Sequence, residues 1–189
     1  MKFLQAALQG VLVVEPQVHR DARGAFFEWF HADRYREAGI AETFVQINQS
    51  ISLRGTLRGL HAQWRRPQAK LIRVLEGAVW DVVVDIRRGS PAFGRWAGIE
   101  VSAENARQVF VPRGYAHGFA VLGERAAVEY ACSDYYDPGC ELAIAWNDPQ
   151  IGVSWPLDRP ILSERDARAP RLAEVTDRLP VYESPGDAA

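Results

Sequence analysis

Apolar residues along the chain fall in short runs rich in Val, Ile and aromatic side chains. Gly, Pro, Asn or Asp breaks them roughly every 8–12 residues, the spacing of an antiparallel sandwich or barrel. The runs predict strands over residues 10–15, 24–30, 44–52, 56–63, 70–76, 78–86, 95–101, 107–111, 117–121, 126–132 and 142–146. Helical periodicity is confined to residues 33–38, with Gly39 placed to end the helix, and to a turn near residues 163–168. The fold class read from this pattern is all-β with short peripheral helices. The strongest hairpin signal covers residues 70–85, where Glu76-Gly77 can supply a tight turn. In its second arm Val79, Asp81, Val83 and Asp85 share one face, and Trp80, Val82, Val84 and Ile86 the other. Alternation therefore predicts that the wholly apolar set faces the core.

Composition narrows the function classes. The chain has 189 residues, 48% hydrophobic and 24% charged, the make-up of one folded globular domain. That domain is expected over residues 1–182, with residues 183–189 as a mobile tail. A formal net charge of −2 and a pI near 6.1 provide no general field for nucleic acid or an anionic membrane. An anionic ligand must therefore meet local positive charge. Cys132 and Cys140 show neither a CxxC nor a neighbouring histidine, which argues against a zinc site or a disulfide framework and for a reducing, cytoplasmic setting. The opening run is interrupted by Gln5 and Gln9 and has no small-x-small site before Glu15, so it is expected to belong to the mature protein. No stretch approaches the roughly 18 apolar residues needed to cross a bilayer.

Candidate chemistry rests on few residues. Of 22 basic residues only Lys2 and Lys70 are lysine, so Lys70 stands out as a place where a compact, rotatable ammonium is wanted. Two of the four histidines, His61 and His117, lie in glycine-flanked strand segments, a placement that favours a barrel interior. Strand phase sets Arg58 and Leu60 on one face and Gly59 and His61 on the other unless a bulge intervenes near the glycine. A metal site is disfavoured because no His-x-His occurs. Tyr130, Tyr135 and Tyr136 are ordinary β packing or, inside a cavity, a proton donor. A minority of the arginines facing a cavity would clamp phosphate oxygens. These features leave open an enzyme, a metal-dependent barrel or a non-catalytic binding barrel.

Several ordered stretches then resemble one family. They are Asp21-Ala-Arg23-Gly24, Gln46-Ile-Asn48, Arg58-Gly-Leu-His61-Ala-Gln63, Lys70-Leu-Ile-Arg73 and Val82-Val-Val-Asp85-Ile-Arg-Arg-Gly-Ser-Pro91. Further along come Ser102-Ala-Glu-Asn105, Pro112-Arg-Gly-Tyr-Ala-His117-Gly-Phe119, Tyr130-Ala-Cys-Ser-Asp-Tyr-Tyr136, residues 146–156 and Leu162-Ser-Glu-Arg-Asp166. Together, over about residues 10–172, they resemble the dTDP-4-dehydrorhamnose 3,5-epimerases. The resemblance implies a cupin-type jelly-roll barrel, acting as a homodimer without metal or organic cofactor, that inverts C3 and C5 of dTDP-4-dehydro-6-deoxy-D-glucose. It implies His61 as general base, Asp166 as its carboxylate partner, Tyr130 as proton donor on the opposite ring face and Lys70 as the cation beside the enolate. It implies substrate contacts at Arg23, Glu28, Gln46, Asn48, Arg58, His117, Glu141 and Arg165, with Tyr136 stacking on thymine. The N-terminal segment bearing Arg23 and Glu28 would reach into the partner's site. Monoepimerases of related keto sugars share most of this pattern.

Overall fold

The computed structural model describes residues 1–183, so residues 184–189 of the expected tail lie outside the described residues. The first half of the chain forms β1 (Lys2–Gln5), β2 (Leu12–Glu15), β3 (His19–Asp21), β4 (Gly24–Phe26), α1 (Ala32–Glu37), β5 (Gln46–Leu53), β6 (Leu57–Gln63), β7 (Lys70–Glu76) and β8 (Ala78–Asp85). The second half adds β9 (Trp96–Ser102), β10 (Gln108–Val111), β11 (Tyr115–Val121), β12 (Arg125–Cys132), β13 (Glu141–Ala143) and α2 (Glu164–Ala167). A six-stranded antiparallel sheet, β1-β2-β10-β7-β12-β5, faces a five-stranded one, β13-β6-β11-β8-β9, and β3–β4 forms a separate hairpin. This is the expected all-β jelly roll with short helices.

Period-2 alternation drives the assembly, because each strand sends every second side chain between the sheets. Ile72 and Val74 of β7, Val128 of β12, Val79 and Val83 of β8 and Phe119 of β11 meet there in one buried cluster. A second cluster lies outside the five-stranded sheet. There Val82, Val84, Ile86 and Leu142 pack under Leu172, Val175 and Leu179 of the C-terminal chain. On the outer face of the six-stranded sheet, Tyr35 of α1 and Ile40 pack on Val14, Leu71 and Phe110. The same face leaves Ile47, Ile51 and Leu53 of β5 exposed, at 55–67%.

Two expectations are overturned here. β7 and β8 do not pair with one another. β7 lies between β10 and β12, while β8 lies between β11 and β9 in the other sheet. Gly77 turns a corner between sheets, at φ +74°, with the Arg125 carbonyl oxygen only 2.0 Å from where a Cβ would stand. A positive φ serves a crossover as well as a hairpin, so the turn signal alone does not choose between them. The face assignment on β8 also reverses. Val79, Asp81, Val83 and Asp85 point between the sheets, and the wholly apolar set packs outward beneath the C-terminal chain. Asp81 and Asp85 are fully buried because each has a partner, His117 for the first and Arg87 with Ser90 for the second.

Smaller differences lie at the ends. β1, β3 and the 3-10 turn at Leu172–Arg178 are additional elements, and the strand expected over 24–30 stops at Phe26. Both helical signals hold. Gly39 follows α1 at φ +92°, and the Ser163 side chain caps α2 by accepting from the Asp166 N–H. Among the described residues no helix is long and apolar enough to cross a membrane.

Candidate active site

A cavity of about 370 Å³ opens between the inner faces of the two sheets. The six-stranded sheet lends it Gln46, Asn48 and Ser50 from β5, Lys70 from β7, and Tyr130 and Cys132 from β12. The five-stranded sheet lends Arg58, His61 and Gln63 from β6, His117 and Phe119 from β11, and Glu141 from β13. Arg58 and His61 could not share a face in regular phase. They do so because the β6–β11 register shifts between His117 and Phe119, where Gly59 sits at φ +118°. The backbones touch at this bulge: a Cβ on Gly59 would lie 2.6 Å from the Gly118 Cα, so glycine is required.

His61 Nε2 is 2.6 Å from Asp166 Oδ1, across 105 residues of sequence. Asp166 is 4% exposed and leads from the first turn of α2, and its Oδ2 also accepts from the Gly59 N–H at 3.5 Å. Burial pushes the Asp166 carboxyl up, but hydrogen bonds from His61, Ser163 and Gly59 outweigh it and hold the group below the usual carboxylate range. An ionised carboxylate on one ring nitrogen fixes the imidazole's orientation and stabilises a positive charge acquired there. A second pair, His117 Nε2 with Asp81 Oδ2 at 2.7 Å, lies deeper, at 7% and 0% exposure. Asp81 Oδ1 and the Ser50 hydroxyl, which lines the cavity, are buried and have no hydrogen-bond partner among the described residues.

Lys70 stands opposite Cys132 in the β7–β12 ladder, and its Nζ lies 6.0 Å from the Tyr130 ring centroid. Desolvation pushes the Lys70 ammonium below the ordinary lysine value, opposed by the field of Cys132, Glu141 and Asp81. Burial pushes the Tyr130 phenol up, so it keeps its proton. Among the described residues neither Lys70 nor Arg58 shares in an ion pair. The Arg58 Nε donates to the Ser52 hydroxyl, at 2.9 Å. Two cations without carboxylate partners in one cavity make a site for an anionic or enolate-like ligand.

Beside the cavity the Tyr136 hydroxyl donates to Glu141 Oε2 at 2.5 Å, and the Arg165 guanidinium pairs with the same oxygen. Burial raises the Glu141 carboxyl, yet Arg165 and Tyr136 together hold it below its ordinary value. Arg165 and Asp166 are consecutive on α2, so one short helix serves both the rim and the histidine.

Of the residues singled out from sequence, His61, Lys70, Tyr130, Gln46, Asn48, Arg58, His117, Tyr136 and Glu141 line this cavity. Asp166 and Arg165 join through His61 and Glu141. Arg23 and Glu28 do not reach it within the chain. Arg23 pairs with Asp21 on the β3–β4 hairpin, 90% exposed, and Glu28 with Arg34. Sequence reasoning missed Ser50, although it continues the alternation of Gln46 and Asn48 on β5. Asp81 was missed too, and its inward face was hidden by the apolar partners on the opposite side. Among the described residues no three His, Cys, Asp or Glu side chains gather as a metal-binding group.

This arrangement can abstract a proton from one side of a ligand, hold an anion, and return a proton from the other. A family model described as dTDP-4-dehydrorhamnose 3,5-epimerase matches residues 5–174. The chain belongs to the dTDP-4-dehydrorhamnose 3,5-epimerase family. A relative of that name from Methanothermobacter thermautotrophicus is 44% identical over 184 residues, covering 96% of this chain and 97% of its own. A dTDP-4-dehydrorhamnose 3-epimerase from Streptomyces niveus is 39% identical, covering 96% and 90%. The structure is similar to that of the dTDP-6-deoxy-D-glucose-3,5-epimerase from Legionella pneumophila, solved in complex with dTDP-4-keto-L-rhamnose. The TM-score is 0.94 and the identity 45%, over 97% of this chain and 99% of that one. The epimerase family therefore accounts for the fold and for the ordered motifs alike.

Proposed function

We propose that the protein inverts C3 and C5 of dTDP-4-dehydro-6-deoxy-D-glucose, giving dTDP-4-dehydro-L-rhamnose. The C4 ketone acidifies the hydrogens on both flanking carbons, so a neutral imidazole suffices as base when the enolate oxygen is held by a cation. His61 takes the proton from the ring carbon, the C–H electron pair moves to form the enolate, and Lys70 holds its oxygen. Tyr130 then delivers a proton to the opposite face, and the electron pair returns to form the new C–H bond. Inversion needs two faces, because return of the proton from His61 would restore the original centre. The observation that carries this reading is that His61, gripped by Asp166, and Tyr130, beside Lys70, belong to opposing sheets across one cavity. Arg58 and Arg165 are suited to the diphosphate, with Asn48, Gln46, His117 and Glu141 around sugar and nucleotide and the Tyr136 ring beneath the base.

The working unit in this proposal is one domain over residues 1–182, paired as a dimer. Arg23 and Phe26 extend on an exposed hairpin, Phe26 at 75%, while Ile47, Ile51 and Leu53 leave an apolar stripe uncovered on β5. A second copy would cover the stripe and receive the hairpin, bringing Arg23 and Glu28 to its cavity. Buried, unpaired Cys132 and Cys140 suit a reducing cytoplasm.

The test is proton NMR of the chelator-treated protein with dTDP-4-dehydro-6-deoxy-D-glucose in D₂O, with product trapped by a 4-ketoreductase. Deuterium at both C3 and C5, with the L-rhamno product, is expected. Deuterium at one carbon alone would favour a monoepimerase, the activity named for the Streptomyces niveus relative. No exchange at either carbon would overturn the reading.

A further inference from the structure

The segment from Asp134 to Asp137, between β12 and the 3-10 turn Pro138–Cys140, belongs to no sheet, so its backbone groups need partners from elsewhere. Three glutamine side chains supply them in order. Gln68 Nε2 donates to the Asp134 carbonyl at 2.6 Å, and Gln63 Nε2 donates to the Tyr135 carbonyl at 3.3 Å. Gln46 Oε1 accepts from the Tyr136 N–H at 2.9 Å, and Gln63 Oε1 accepts from the Asp137 N–H at 2.7 Å. Gln63 thus brackets Tyr136 from both sides with one amide. That amide also donates to the Arg66 carbonyl at 3.0 Å, which ties the segment to the chain leaving β6.

Gln63 and Gln68 are 7% and 9% exposed, whereas the residue they flank, Tyr136, is 50% exposed. Glu141 holds the Tyr136 ring at its hydroxyl, but main chain that belongs to no sheet would ordinarily be mobile beneath it, and a ligand stacking there would bear the ordering cost. Buried amides that fix its main chain remove that cost before the ligand arrives. Gln46 contributes in the same way, since its other amide atom, Nε2, donates to Asn48 Oδ1 at 2.9 Å.

We infer that Gln63 and Gln68 are positioning residues that hold Tyr136 as a preorganised platform for the nucleobase, acting through the main-chain groups of residues 134–137. This rests on the stacking role proposed for Tyr136. The experiment compares wild type, Gln63→Met, Gln68→Met, Tyr136→Leu and the two double variants. Each is titrated calorimetrically with dTDP and with 2-deoxyribose 5-diphosphate, which lacks the base, and kcat and KM are measured alongside. Tyr136→Leu is expected to weaken dTDP about tenfold, within the range of one stacked base. Each glutamine variant is expected to weaken dTDP by up to the same factor, to raise KM by more than it lowers kcat, and to leave binding of the base-free diphosphate unaffected. In the Tyr136→Leu background neither should cost anything more, the signature of two residues acting as one unit.

Additive losses in that background, or equal weakening of the base-free compound, would overturn the proposal. Full dTDP affinity in both glutamine variants would do the same while leaving the stacking role standing. Unchanged dTDP affinity in Tyr136→Leu would instead remove the platform itself. The two glutamines come from different segments, so a folding failure of one variant leaves the other to decide.

Discussion

Lys70 and Tyr130 stand on neighbouring strands of the six-stranded sheet, with the ammonium 6.0 Å from the ring centroid. Burial acts on the two in opposite senses, pushing the lysine below its ordinary value and the phenol above its own. One environment therefore brings Lys70 closer to losing its charge while keeping Tyr130 supplied with a proton.

A pH prediction follows from those directions. The alkaline limb of kcat/KM should belong to Lys70 and fall below the ordinary lysine value of about 10.4. The sign is set by which form works: in the proposed mechanism the ammonium holds the enolate, so activity declines as pH rises through the lowered lysine pKa. Lys70→Arg, whose cation does not titrate in this range, should shift the limb upward at reduced kcat. A limb unmoved in Lys70→Arg would mean that another group titrates there.

Removing the acid without the base separates exchange from inversion. Tyr130→Phe leaves His61, Asp166 and Lys70 in place, so the substrate should still exchange its acidic hydrogens with D₂O on the His61 side. Turnover to inverted product should fall about 10²–10⁴-fold, the usual contribution of a positioned acid. Deuterium NMR of recovered substrate, beside product assays, distinguishes this from a general loss of binding.

Much of the fold was legible in the sequence, and the reasons for the rest are physical. The strands over β5, β6, β7 and β8 follow from alternation and turn residues, both local signals. Which strands pair does not. Gly77 reads the same at a hairpin and at a crossover, and β8 has apolar residues on both faces, so only the C-terminal layer packed outside it reveals which face is internal. The site divides likewise. The residue types were visible in motifs, but bringing Asp166 to His61 across 105 residues depends on the whole barrel. The glutamine contacts at residues 134–137 leave no periodic trace at all.

Asp166 ties stability to catalysis. Asp166→Asn should lower kcat about 10²–10⁴-fold, because the amide no longer orients or stabilises a protonated His61. The carboxyl's pKa is held below its unfolded value, so it contributes stability above the ordinary carboxylate pKa of about 3.9, and that contribution is lost as pH falls through the lowered folded value. The variant should therefore be less stable than wild type at pH 7 by about 1–3 kcal/mol, the cost of a broken buried hydrogen bond. The gap should narrow on acidification, and urea unfolding at pH 7 and near pH 3 would show it.

The corner at Gly77 predicts a loss that no active-site residue explains. Alanine there must adopt φ near +74° and place its Cβ against the Arg125 carbonyl oxygen, 2.0 Å away. Gly77→Ala should cost about 3–5 kcal/mol, combining left-handed strain with a displaced backbone. Lys70 is on the strand that ends at this corner and Asp81 on the strand that begins there, so the damage should reach the cavity as well as the melting temperature.

The proposed dimer gives the sharpest division of roles. Ile51 is 55% exposed on the outer face of β5, away from the cavity that Asn48 and Ser50 line on the inner face. Ile51→Asp should leave the fold and each monomer's cavity intact while opposing association, because an aspartate at an apolar contact must lose its hydration. Light scattering is expected to show a monomer. Activity should fall with it, since Arg23 and Glu28 would no longer reach a partner's cavity. Arg23→Ala should reproduce a large part of that loss as raised KM in a protein that is still dimeric. A monomeric Ile51→Asp protein with full activity would show that each cavity works without the partner's hairpin.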